Sequence, residues 1–498
     1  MLQSRDNSRP QDWKIPVICV FAAYVGCSIL YFSALSKHFA VLDDYRMVLA
    51  VEGMRPFRIE GHAATELATG RIIPAYLFDL FWFRVDSLED LTYVRWIGFS
   101  IVVLTILAIC IWFVRMSHTE KASPFVLVIP VSLLTISLPS VAATVTWAQK
   151  ATQLLAFPIS AAAGIIFARA NLSSRLRVVA VMLTVGAAFT YQQFGLFTIF
   201  PVAMWAAVHY GTGTKWLYRR RLLEVLMTCF IALLLNMTFV RVRSPDVLSG
   251  IQGRVFPDRI EAVLSSYIPK SSHLILDKSL PSVMISGVVL GVLVLLVGLV
   301  NHKSLVVVLA SLLTMTTTAL MVLGGSVDVS YRLIFPGQIA IWLGLSLALI
   351  HALTSPDKNR AWTRPASAFG YCCIAILFAL YARDVPTTHI AERNAEQWEE
   401  AKCHLKHASQ NIDLSRMVFR LDHVEFSGNA AVYSEIGLTA RHVDWILADQ
   451  ILMLVTTQAD LSVLQGVPLE VLDPTDALPS QSRTVFVADL QVPCPRLN

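Results

Sequence analysis

The sequence predicts an all-α polytopic membrane protein with about eleven transmembrane helices and a small α/β domain at its C-terminal end. The chain has 498 residues, 55% of them hydrophobic, and its mean hydropathy of +0.60 is too high for a soluble protein. Several apolar runs reach the ~20 residues that are needed to cross a bilayer. After Tyr381 the composition becomes mixed and polar, which predicts a separate domain.

The first run, Ile15–Leu35, predicts an uncleaved signal-anchor helix, because it is long for a signal peptide and Ser33–Ser36 is a poor cleavage site. The run 176–210 is too long for one span, and we divide it at Tyr191-Gln192-Gln193. The predicted spans are Ile15–Leu35, Leu91–Val114, Pro124–Val141, Ala151–Ala168, Leu176–Thr190, Phe194–Tyr210, Leu222–Val240, Ser282–Val300, Ser304–Leu323, Leu333–Leu353 and Ala366–Tyr381.

Lysines and arginines concentrate in alternate short loops, such as Arg219–Arg221. The positive-inside rule then places the N-terminus in the cytoplasm, and the first loop (36–90) and the C-terminal region outside. We expect residues 1–381 to form the bundle and 382–498 the outer domain. The formal net charge of +5 comes with no basic tract interleaved with aromatic residues, so a nucleic-acid partner is not expected.

Short elements are also predicted outside the spans. The apolar stretch before Arg84 is too short to cross a bilayer and predicts an interfacial or re-entrant helix near 72–83. In the C-terminal region, the patterns predict helices at Glu392–Ser409 and Val443–Leu454 and strands at Met417–Leu421, Leu469–Leu472 and Thr484–Val487.

Cys403 and Cys494 are the two of the eight cysteines that lie outside the predicted spans. Because an extracytoplasmic compartment is oxidising, they could form a disulfide. The alternative is two independent thiols. No C-x-x-C pair occurs, so the sequence gives no case for a zinc or redox motif.

The stretch from Lys37 to Arg71 is dense in ionisable residues, although the chain is only 15% charged. Asp43 and Asp44 follow the first span directly. They could cap a helix over 45–53, or they could act as a general base or hold a divalent cation. Glu60 and Arg46 are further candidates for substrate contacts in the same loop.

Arginines on the outer face could bind a lipid phosphate, because the guanidinium fork matches phosphate oxygens. The candidates are Arg46, Arg71 and Arg332, and the alternative for each is a solvated or headgroup-facing side chain. Tyr191 and Gln192 are polar groups at membrane depth, where they could line a cavity or bond neighbouring helices. The chain contains no G-x-S-x-G, Walker A or G-x-G-x-x-G motif, so it gives no case for a nucleotide-driven transporter or a soluble-type hydrolase.

Together these stretches resemble the C-type glycosyltransferase fold, and more narrowly the serotype-converting O-antigen glucosyltransferases of Gram-negative bacteria. The residues that carry the resemblance are Leu42–Tyr45, Gly70-Arg71, Thr190–Gln193, Ser330–Arg332, and the tail segment Tyr433–Leu438 that leads to Val443–Trp445.

The resemblance implies an inverting transfer of a sugar, glucose in that family, from a polyprenyl (undecaprenyl) phosphate carrier to the lipopolysaccharide O-antigen. It implies a bacterial inner-membrane enzyme that acts on the periplasmic face, in contact with membrane lipid. Asp43 would be the base, and Asp44 would position the substrate or a divalent ion. Arginines would hold the carrier phosphate, with Arg332 first and Arg71 second.

Two other functions use similar substrates. A flippase or transporter of lipid-linked saccharides would also need outer-face arginines, but it would usually show paired internal halves. We find no such repeat in the sequence. A polysaccharide polymerase or ligase would be expected to centre on a large late loop, whereas the densest ionisable loop here is the first.

Overall fold

The computed structural model shows a mostly helical chain with a small three-stranded sheet near its C-terminal end. The structure describes residues 14–41, 44–45, 48, 66–82, 85, 87–117, 123–209, 215–244, 256–272, 280–324, 331–354, 363–383, 385–410, 414–421, 444–482, 484–490 and 494.

The helices of the first half begin with α1, which leads into the first loop. They are α1 (Lys14–Leu35), α2 (Ile72–Trp82), α3 (Leu91–Met116), α4 (Val128–Ile136), α5 (Pro139–Val145), α6 (Ala151–Leu154), α7 (Ala156–Phe167), α8 (Ser174–Thr190), α9 (Gln192–Phe197), α10 (Ile199–Val208) and α11 (Lys215–Arg243). A 3-10 turn, Ala148–Lys150, precedes α6.

The second half contains the remaining helices and the strands. They are α12 (Phe256–Ala262), α13 (Ile268–Ser272), α14 (Leu280–Val300), α15 (Leu305–Gly324), α16 (Tyr331–Thr354), α17 (Thr363–Ala382), α18 (Arg393–Ser409), β1 (Arg416–Arg420), α19 (Asp444–Thr457), β2 (Leu469–Leu472) and β3 (Val485–Asp489). The predicted interfacial helix near 72–83 corresponds to α2.

Seven helical stretches of the described chain are long and apolar enough to cross a membrane, or eight if one bent pair is a single span. The protein is therefore a multi-pass helical membrane protein. Helices occupy all eleven predicted spans, but the apolar stretch 192–208 is shorter than most membrane crossings. The predicted span Pro124–Val141 is not one straight helix, because the chain bends by 73° at the break between Ile136 and Pro139. Leu138 is extended there, the conformation that a following proline favours, and Pro139 starts the next helix.

The division of the run 176–210 is confirmed at Tyr191. Helix α8 ends at Thr190, and Tyr191 is extended, with φ −159° and ψ 112°. Helix α9 then starts at Gln192. The break places the polar groups of Tyr191 and Gln192 between two helices rather than inside one.

The strands and helices predicted in the C-terminal region are confirmed within a few residues. The strands form one parallel sheet in the order β2-β1-β3. Met417 pairs with Leu469 on one side of β1, and Arg416 pairs with Val485 on the other. A disulfide joins Cys403 of α18 to Cys494, with 6.2 Å between the Cα atoms. The other six cysteines are free.

The C-terminal region packs directly on the first loop. Trp398 of α18 stacks on Tyr45 with the ring centroids 6.0 Å apart, and Gln450 of α19 donates to the Tyr45 hydroxyl at 3.3 Å. An ion pair joins Lys37 to Glu392 at 2.6 Å. One apolar core contains side chains of the first loop, α3, α18, α19 and the sheet. The first loop and the C-terminal region therefore lie on the same side of the bundle.

We predict that this shared side is the outer side. Alkaline phosphatase fused after Asn498 should be active, and green fluorescent protein at the same point should be dark, because the loops rich in lysine and arginine remain in the cytoplasm. A fluorescent, phosphatase-inactive fusion would overturn this orientation.

Candidate functional site

Asp44 holds the end of the first span against the middle of the bundle. Its side chain is completely buried. Its carboxylate accepts backbone N–H groups from Val41 at 3.1 Å, from Gln149 at 2.9 Å and from Ala148 at 3.4 Å. Because Ala148 starts a 3-10 turn, Asp44 satisfies free N–H groups at the start of a helical segment that is distant in sequence.

Arg95 of α3 is the charged partner of Asp44 and is also fully buried. One guanidinium nitrogen lies 4.0 Å from the Asp44 carboxylate. The same nitrogen donates to Phe39 O, and the other two donate to Thr146 O at 3.1 Å and to Lys37 O at 3.3 Å. The guanidinium also lies 3.7 Å from the centre of the Phe39 ring. Arg95 thereby joins two separate stretches of backbone, 37–39 and the residue 146 carbonyl, around one carboxylate.

Burial raises the pKa of Asp44 to about 6, although Arg95 and the three backbone donors favour the charged form. Both oxygens are engaged and the residue has no solvent access. This geometry suits a positioning role for Asp44 in the first loop better than the role of a base that removes a proton from a bound substrate.

The segment 147–154 connects Asp44 to a second buried carboxylate. The backbone N–H of Gln149 binds Asp44, and one turn later the Gln153 side chain donates to Glu66 at 3.0 Å. Lys150 lies between them, 3% exposed, with its ammonium 4.4 Å from the centre of the Trp147 ring. The Oε1 atoms of Gln149 and Gln153 are buried and have no hydrogen-bond partner among the described residues.

Glu66 connects this segment to the start of α2. It is 2% exposed, and its second oxygen lies 3.4 Å from an Arg71 nitrogen. The Arg71 guanidinium lies 5.1 Å from the centre of the Tyr191 ring, in the break between α8 and α9. The cluster therefore presents a carboxylate, a guanidinium, amides and an aromatic ring where the first loop meets the bundle.

Gly70 sets the direction in which Arg71 leaves the loop. Its φ of +77° lies in the left-handed region that favours glycine. Asn236 of α11 donates to Gly70 O at 2.7 Å, and Gln192 donates to Thr69 O at 2.6 Å and to Asn236 Oδ1 at 3.2 Å. A Cβ at Gly70 would come within 2.7 Å of Asn236 Oδ1 and of Val240 Cγ2.

The structure thus brings together Arg71, Tyr191 and Gln192 of the predicted substrate-binding residues. Asp44 is connected to them through 147–154. Asp43, Arg46 and Glu60 lie outside the described residues. Arg332 lies in the first turn of α16, and its side chain is outside what the structure describes.

Sequence reasoning missed two parts of this arrangement. It treated Arg95 as part of an apolar span, although an ionisable residue within a span was itself the signal of a functional or buried partner. It also did not connect Gln149 to Asp44 or Gln153 to Glu66. A single sequence contains no signal that shows which of its distant residues contact each other.

A scan against protein-family models finds no match to this chain, and searches of curated proteins and of solved structures find none either.

The cluster can bind a ligand that carries both a negative charge and hydroxyl groups. A guanidinium and a buried ammonium suit phosphate oxygens, while carboxylate and amide groups suit hydroxyls. Within the described part of the chain, Asp44 belongs to no group of three close metal ligands.

We predict that Gly70→Ala destabilises the junction. A left-handed φ costs a residue with a Cβ ~1–3 kcal/mol, and the new methyl group would displace Asn236. The thermal unfolding midpoint in detergent should fall. The matched control is Gly287→Ala in α14, where a Cβ meets nothing within 4 Å and the midpoint should not fall. Equal midpoints for the two variants would contradict this account.

We also predict that Asp44 makes stability depend on pH. Its pKa rises from 3.8 to about 6 on folding, so the folded state binds the proton more tightly than the unfolded state. The resulting stabilisation is fully present below pH 3.8 and is lost as the pH rises through about 6.

The thermal unfolding midpoint of the wild type should therefore fall as the pH is raised from 4 to 7. Asp44→Asn should lower the midpoint overall, because the amide nitrogen cannot accept an N–H, and it should flatten the dependence on pH. A profile parallel to the wild type would show that Asp44 does not titrate in this range.

Proposed function

We propose that this protein is an inverting glycosyltransferase that moves a sugar from a polyprenyl-phosphate carrier to a hydroxyl of a surface polysaccharide. The observation that carries the proposal is the buried cluster of Glu66, Arg71, Gln153 and Tyr191 where the first loop meets the bundle. Its charges and amides match a phosphate attached to a sugar, and it lies among apolar helices that could accommodate a lipid carrier.

Arg71 is proposed to bind the carrier phosphate. Its guanidinium lies against Tyr191 with one nitrogen facing Glu66, and a planar guanidinium matches the geometry of phosphate oxygens. Lys150 would add a second positive charge from the adjacent segment. When the glycosidic bond to phosphate breaks, the phosphate is the leaving group, and fixed cations offset its developing charge. Arg332 stays a proposed phosphate ligand on sequence grounds.

Asp43 is proposed as the general base. It is the neighbour of a residue whose two oxygens already bind backbone donors, so the pair divides into a positioning residue, Asp44, and a residue for catalysis. Asp43 would accept the proton of the attacking hydroxyl as the acceptor oxygen bonds to the anomeric carbon. Such assistance is typically worth ~10²–10⁴ in rate.

The acceptor and the compartment follow from the same proposal. A lipid-phosphate donor needs no nucleotide site, and the chain carries none of the phosphate-loop motifs. The donor, the acceptor and the C-terminal region would then meet on the periplasmic side of a bacterial inner membrane. The proposed product is a glucosylated O-antigen, as in the family that the sequence resembles.

We predict that Asp43→Asn abolishes transfer while the protein still folds. Asn caps a helix about as well as Asp, but it cannot act as a base, so transfer should fall by ~10²–10⁴. The assay measures transfer of radiolabelled hexose from synthetic polyprenyl phosphate to O-antigen in vesicles. Asp258→Asn in α12 is a control at an exposed carboxylate and should keep normal transfer.

The same assay distinguishes the flippase alternative. A flippase would move the labelled lipid between leaflets without forming a new glycosidic bond, in the wild type and in Asp43→Asn alike. Lipid movement without glycosylated product would therefore reject the proposal. Near-normal transfer by Asp43→Asn would keep the reaction class but move the base to another carboxylate, such as Glu60.

A further inference from the structure

A cluster of potential metal ligands lies in the C-terminal region, at a site that the proposed reaction does not use. It consists of Cys403, His407 and Cys494, each half-buried. One ligand atom from each residue lies within 4.8 Å of the other two. Cys403 and His407 are four residues apart on α18, so they share a face of the helix.

Two thiolates and one imidazole are ligands that zinc prefers. Zinc bonds of ~2.3 Å to sulfur and ~2.0 Å to nitrogen keep any two ligand atoms within about 4.6 Å of each other. The spacing of at most 4.8 Å between the three atoms therefore needs only small side-chain adjustments. A water molecule could complete the four-coordinate set.

The disulfide and the metal exclude each other. While Cys403 and Cys494 are joined, neither sulfur is a thiolate. A dithiol reductant would exchange with the bridge, so that the protein disulfide becomes two thiols and the dithiol becomes a disulfide. Zinc would then bind the two sulfurs and release their two protons.

We propose that Cys403, His407 and Cys494 form a redox-gated zinc site, so that either a disulfide or a zinc ion ties Cys494 to α18. The helix is the same one whose Trp398 stacks on Tyr45 of the first loop. Both closures would keep position 494 attached to this docking helix. The proposal does not depend on glycosyl transfer.

The test uses the purified full-length protein in detergent, reduced with a trialkylphosphine, which leaves no competing thiol. After removal of the reductant, Zn²⁺ binding is measured by competition with a chromophoric chelator, and Cd²⁺ binding by thiolate-to-metal charge-transfer absorption. The control is Cys403→Ser/Cys494→Ser, which retains the six other cysteines. We expect the reduced wild type to bind one more metal ion per chain than the reduced control. The oxidised protein should bind no such ion.

His407→Gln separates a metal site from a loose dithiol. It keeps both cysteines, so its disulfide should still form and its unfolding midpoint while oxidised should stay normal. Reduced His407→Gln should bind Zn²⁺ at least about tenfold more weakly, the smallest effect typical of lost zinc-site contacts. Equal affinity of His407→Gln and the wild type, or no extra ion over the double serine control, would overturn the proposal.

Discussion

The buried pair of Asp44 and Arg95 is the constraint on which the junction between the first loop and the bundle depends. Neither charge has access to water, and their attraction alone rarely offsets the desolvation of two ions. The pair is retained here because backbone groups complete it, with Asp44 accepting from 148 and 149 and Arg95 donating to carbonyls at 37 and 146. The loss of either side chain would leave an unpaired buried charge and release the first loop from the bundle.

The C-terminal region also contacts the first loop. Its helices contribute Trp398 and Gln450 to the surroundings of Tyr45, the immediate neighbour of Asp44, and its sheet shares an apolar core with α3. The loop is thus held between the bundle and the C-terminal domain. Tyr45 at this junction is held by a hydrogen bond from a residue about 400 positions later in the chain.

Much of this architecture could be predicted from the sequence, because hydrophobic length and period-two alternation are local properties. The strands of the C-terminal region and the break at Tyr191 follow from such patterns. The bend before Pro139 was missed, since the apolar character continues through it and only the backbone geometry changes. The partners of Asp44 and Glu66 could not be predicted, because the contacts with Gln149 and Gln153 depend on tertiary packing between distant segments.

The length of helix α11 links the geometry of the candidate site to the thickness of the membrane. Its 29 residues rise about 44 Å, which matches the ~40–45 Å of a bilayer with its headgroup regions, and a helix responds to a change in bilayer thickness by tilting. Asn236 of this helix holds the Gly70 carbonyl, directly before Arg71. A thinner or thicker bilayer would change the tilt and so move the guanidinium, which makes the lipid composition of the membrane a determinant of the site's geometry.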